Sequence, residues 1–216
     1  MPIRTQPSNS QLEGGGPIIM PVMIGAKRES DFTDPVGMLG DCHRRIVRFL
    51  HILVSLAIEE SGGPLSDQQR TLLATSLRYF REAAPKHTAD EEESLFPRLR
   101  SLDLPGLETV LARIDSLEQD HECAERSHVE VDRLGQLWLS NGRLSLEDAG
   151  RLSTLLNQLA ALYRHHIGTE DTEVFPFAAS VLSAAHREAI GAEMAARRGL
   201  AGAKSPEIQA GTVAVR

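Results

Sequence analysis

The chain has 216 residues, enough for one domain with a substantial core, and its 30 acidic against 23 basic side chains leave a net charge of −7. That balance argues against a generic nucleic-acid or anionic-membrane surface. No apolar run approaches the ~20 residues that span a bilayer, and two cysteines make no disulfide framework, so a reducing cytoplasm is expected.

Residues 1–34 combine Gly14-Gly15-Gly16 with Pro2, Pro7, Pro17 and Pro21, a composition that resists helix and sheet alike and reads as a flexible arm. The first helix should open at Asp34-Pro35, the aspartate as cap and the proline at the first helical position, and stop at Gly62-Gly63-Pro64. Its apolar stripe is Leu39, His43, Ile46, Leu50, Leu53, Ala57. A Ser66-x-x-Gln69 capping box starts the second, whose stripe is Leu73, Leu77, Phe80, Ala84, His87, Glu91, Leu95. Pro85 should kink it, and Pro97 with Pro105-Gly106 should end it. A third covers roughly 107–140, with stripe Val110, Ile114, Leu117, His121, Glu125 (or Ala124), His128. The fourth opens at Ser145 and carries Leu152, Leu155, Leu159, Leu162, His166, Glu170, Val174. Residues 182–200 form a shorter amphipathic helix, and 201–216 a flexible tail. Four long helices with short loops make an all-α, antiparallel up-down four-helix bundle over 35–181 the economical packing.

One stretch occurs twice. His87-Thr88-Ala89-Asp90-Glu91-Glu92-Glu93-Ser94-Leu95-Phe96-Pro97 returns as His166-Ile167-Gly168-Thr169-Glu170-Asp171-Thr172-Glu173-Val174-Phe175-Pro176. Both read His-x-x-x-Glu-acid-x-x-apolar-Phe-Pro. On a helix, i and i+4 share a face, so each copy presents an imidazole beside a carboxylate. His43, His87, Glu91, His121, Glu125, His166 and Glu170 all fall on apolar stripes, where an unpartnered charge is costly. A lone histidine there is most often a satisfied core residue. Four helices each supplying one, two of them with a glutamate, point instead to a metal. The acidic run at Asp90–Glu93 reads as a solvated face for Glu92 and Glu93, but that does not explain Glu91. Antiparallel helices of comparable length also return the four histidines to one height.

These residues, with Asp41-Cys42-His43-Arg44-Arg45-Ile46 and Asp120-His121-Glu122, resemble the hemerythrin-like (HHE cation-binding) family over about residues 34–181. The resemblance implies a bundle holding two iron ions, oxo- or hydroxo-bridged, with manganese as the alternative metal. His43, His87, His121 and His166 match the terminal imidazole ligands, and Glu91 and Glu170 the bridging carboxylates. The oxygen-carrying members place a second histidine on the third helix where Glu125 stands here, so Glu125 either coordinates or stands behind a ligand. The four-His, two-Glu pattern is closer to bacterial members implicated in repairing iron centres under nitrosative stress. Those carry a cysteine-rich leader, whereas residues 1–34 contain no cysteine.

Tyr163, a turn before His166, reads as a core tyrosine or as a donor to a bound oxygen species. The expected function is binding of a small oxidant (dioxygen, nitric oxide or peroxide) for sensing, detoxification or redox protection, by a binding protein or by a redox enzyme on peroxide or nitric oxide. The alternatives are iron storage or donation, and a metal-free structural bundle. Nucleic acid and membrane are not expected partners.

Overall fold

The computed structural model describes residues 29–200. The arm over 1–28 and the tail over 201–216 lie outside the described residues. Within them the chain is all-helical: α1 (Pro35–Glu60), α2 (Asp67–Glu82), α3 (Ala84–Asp90), α4 (Phe96–Arg100), α5 (Leu107–Asn141), α6 (Leu146–Thr169), α7 (Phe175–Val181) and α8 (Ala184–Arg197). Two wider π turns, Glu91–Leu95 and Glu170–Val174, join α3 to α4 and α6 to α7. The packed pairs α1–α2, α2–α5, α5–α6 and α6–α1 close a ring of four arms, the bundle anticipated from the periodicity.

The helix ends follow local chemistry. Asp34 Oδ1 accepts the Gly37 N–H at 3.1 Å and caps α1. Ser66 and Gln69 form a reciprocal capping box on α2, and the Ser145 hydroxyl accepts the Asp148 N–H on α6. The α1–α2 turn needs left-handed backbone at Ser61 and Gly62. Gly62 then approaches the α5–α6 turn so closely that a Cβ there would lie 2.7 Å from that of Ala149, while its carbonyl accepts the Leu144 N–H.

The second and fourth arms are not single helices, and the prolines give the reason. Pro85 sits just after the break between α2 and α3, at Ala83. Pro97 and Pro176 each follow a π turn by two residues. Neither can donate to the carbonyl four residues back, and their rings would clash with it. The preceding residues, Phe96 and Phe175, donate five residues back instead, to Glu91 and Glu170 carbonyls. Both π turns therefore begin at the repeated glutamate.

Two apolar cores flank the level of the histidines. One side holds Ile46, Leu77, Phe80, Leu134, Trp138 and Leu156; the other holds Leu39, Phe96, Ile114, Leu117, Phe175 and Met194. Residues 29–34, expected to belong to the flexible arm, are held against the second core. The Ser30 N–H donates to buried Asp41 at 2.6 Å, and the Phe32 carbonyl lies where a Cβ on Gly191 would be, 2.0 Å away. The α8 helix docks through Arg197 and Arg198, both bonded to Asp90, which is fully buried. It covers the end of the bundle nearest the first π turn.

Candidate metal centre

Each arm contributes one imidazole between the two cores: His43 from α1, His87 from α3, His121 from α5, His166 from α6. The π turns add Glu91 and Glu170, both fully buried. Every imidazole points Nε2 inward. Glu91 meets His87 through Oε1 at 3.3 Å and His121 through Oε2 at 3.4 Å. Glu170 Oε2 lies 3.0 Å from His43 and 3.2 Å from His166. Potential ligand atoms fall into two groups, each within 4.8 Å: His43, His87, Glu91, Glu170, and His121, His166, Glu91, Glu170. Both glutamates belong to both groups. Each group therefore offers two imidazoles and the same two carboxylates.

The outward nitrogens meet further acids. His43 Nδ1 bonds Asp171 at 2.8 Å and His121 Nδ1 bonds Glu92 at 2.9 Å. His166 Nδ1 faces Asp120 at 3.4 Å. A carboxylate on Nδ1 places the proton there and leaves Nε2 with its lone pair for a cation. Asp171 and Glu92 are the acids that follow the glutamate in the two motif copies, so each copy supplies one inward carboxylate and one that orients a histidine from another arm. Reading Glu92 as part of a solvated face missed this. The signal was present, as an acid at the same offset in both copies. Phe175, from the second Phe-Pro, stacks on the His43 ring at 5.2 Å and fixes its plane.

None of the four oxygens of Glu91 and Glu170 receives a well-aligned hydrogen bond, and imidazole nitrogens at 3.0 to 3.4 Å are their close polar neighbours. Buried carboxylate oxygens with no partner are costly. The electrostatics register the same tension. Burial, then the Glu170 charge, pushes the Glu91 carboxyl well above the usual range. Burial also works against an ionised Glu170, but His166 and His43 prevail and hold it well below. Burial opposes charge on His43, yet Asp171 and Glu170 lift it to about 10. Burial and the neighbouring His43 drive His87 well below its ordinary value. The donor set, neutral imidazole plus carboxylate, fits divalent cations of the first transition row.

Glu125 is not brought into either group. It is exposed on α5 at the mouth of a neighbouring cavity. The buried residues of α5 include Ile114, Leu117, Ala124, Val131, Gly135 and Trp138, with His121 and His128 between them. The seam advances by three and four alternately, so it leaves His121 by three, to Ala124, and Glu125 falls beside it. Tyr163 donates to or accepts from His128 Nε2 at 3.0 Å, behind the cluster. Its ring meets His166 edge-on, 6.3 Å between centroids. His51 and His165 are exposed. Cys42 is a buried thiol bonded by Arg45 at 3.1 Å, and Cys123 is exposed.

A family model, the hemerythrin HHE cation binding domain, matches residues 34–178. The chain belongs to that family. An uncharacterized protein of Haemophilus influenzae is similar to it, 29% identical over 172 residues, 77% of this chain and 91% of that protein. The hemerythrin HHE domain is a cation-binding domain, and the buried His/Glu cluster fits a metal site. No described helix is long and apolar enough to cross a membrane.

Proposed function

We propose that this HHE domain holds two iron ions, one between His43 and His87, the other between His121 and His166, with Glu91 and Glu170 spanning both. The observation that carries the reading is the four unpartnered, fully buried carboxylate oxygens standing between two pairs of inward imidazole nitrogens. A metal-free bundle would offer those oxygens only imidazole contacts, at a cost of about 1–3 kcal/mol for each one left unsatisfied. Iron suits the donor set better than zinc, for which closed tetrahedral sites with thiolate and imidazole are the common structural solution.

With two imidazoles and two shared carboxylates for each cation, the protein would leave coordination positions for a further ligand. Iron held by these residues would supply electron transfer to a small oxidant: dioxygen, nitric oxide or peroxide. The protein's part is to hold the imidazoles in one tautomer through Asp171 and Glu92, keep bulk water out by burial, and admit a small molecule past His87, His121 and His166. Full burial of both glutamates supports retention of the metal in place over its release as cargo. The use is sensing, detoxification or redox protection.

The test is optical. Iron-loaded protein should show near-ultraviolet and visible charge-transfer bands that shift when azide, nitric oxide or peroxide is added. Bands that ignore all three would contradict the oxidant reading while leaving metal binding intact.

A further inference from the structure

Beside the cluster lies a cavity of about 580 Å³, bounded by α2, α3, α5 and α6. It reaches His87, His121 and His166, but neither His43, Glu91 nor Glu170 lines it. Its size falls in the range of about 300–1,000 Å³ typical of sites for small organic ligands. A water molecule's share of liquid volume is about 30 Å³, so the space has room for a molecule much larger than a diatomic.

The wall is chiefly apolar, with Leu77, Phe80, Ala84, Ala124 and Val131 all buried. Set into it, apart from Thr88 and the cluster's own imidazoles, is a polar pair, His128 and Tyr163, whose Nε2 and hydroxyl lie 3.0 Å apart. Phe80 stacks on the His128 ring at 4.3 Å and holds the pair in position. A phenolic hydroxyl both donates and accepts, so one bond to His128 leaves Tyr163 capacity for another. The rim is acidic: Glu92, Glu93, Glu122 and Glu125 line it. Its arginine, Arg81, is already paired with Asp132 at 3.0 Å. Such a rim repels anions at the entrance.

We infer that this cavity binds a small, neutral, apolar organic molecule bearing one hydroxyl, of the size and class of a simple phenol, beside the cluster. The volume admits a molecule of that size, the wall favours apolarity, Tyr163 with His128 supplies a polar contact away from the cluster, and the rim disfavours negative charge. The site does not depend on metal.

The probe is p-cresol, titrated calorimetrically into the full-length chain both metal-free and iron-loaded. One site per chain is expected in each state. Its uncharged-to-charged counterpart 4-methylbenzoate should bind at least ten-fold more weakly. Tyr163→Phe should weaken p-cresol about five-fold while leaving toluene unchanged, the size of one neutral hydrogen bond. Ala124→Leu and Ala84→Leu, which narrow the space from different helices, should each weaken p-cresol binding with iron content retained. No p-cresol binding up to its solubility limit, equal affinity for 4-methylbenzoate, or binding indifferent to both leucine variants would overturn the inference. Retained p-cresol binding in a chain that takes up no iron would overturn the metal reading alone.

Discussion

At the scale of single residues, the motif's two acids divide the work. Glu91 and Glu170 turn inward and find only imidazoles, while Glu92 and Asp171, one position later, turn outward and bond the Nδ1 atoms of His121 and His43. Removing such an orienting acid typically costs 10–100-fold in metal affinity. Asp171→Ala should therefore lower iron affinity by about that factor in a chelator competition, with the helical circular dichroism unchanged; a change under two-fold would contradict the orienting role. His128 makes a separate prediction about pH. Burial lowers its pKa to about 4, against 6.5 in an unfolded chain. Between those values the unfolded state binds more protons, so stability is complete above about pH 6.5 and declines as pH falls toward 4, by on the order of 2–3 kcal/mol. Buried His87 adds a slope of the same sign in the metal-free chain, so denaturant melts of that chain should lose stability as pH falls through this range, and His128→Phe should make the slope shallower.

Among the elements, the parts legible in the sequence were those governed by local rules. Apolar spacing of three and four located the four arms, and Asp34, Ser66 and Ser145 marked helix starts because their side chains serve backbone N–H groups within three residues. The same spacing, carried through α5, distinguishes Ala124 from Glu125; a stripe written with either residue left that open. The π turns were not legible, since Pro97 and Pro176 read equally as ends of helices. Nor was the docking of α8, because Arg197 and Arg198 reach Asp90 across more than a hundred residues. That docking is testable. Asp90→Ala leaves Arg197 with Glu93 and Ser94, and Arg198 facing the Met194 carbonyl without an acid. Both arginines are about one-fifth exposed and can turn to water, so the expected loss is about 1–3 kcal/mol in thermal or urea melts. Gly191→Ala should act on the same end of the bundle. Helix propensity alone would favour alanine by about 1 kcal/mol, but its Cβ would strike the Phe32 carbonyl, which is backbone and cannot rotate away. Faster proteolysis near residues 29–34 is expected; slower proteolysis with a higher melting temperature would contradict the close approach.

For the whole molecule, the two apolar cores and the polar layer between them form one design. The cores bring four arms to a common level, and each arm spends one position of its apolar stripe on a histidine. The π turns set a glutamate from two arms into the same layer. The result is a cluster that no single motif copy contains: His43 and His121 come from arms without the repeat, and each stands against a repeat glutamate. The most direct test is crystallographic, on the full chain grown with iron, with anomalous scattering collected at the iron edge. The account predicts two peaks per chain inside the cluster, one between His43 and His87, one between His121 and His166, both reached by Glu91 and Glu170. A single peak, or none within the cluster, would contradict it.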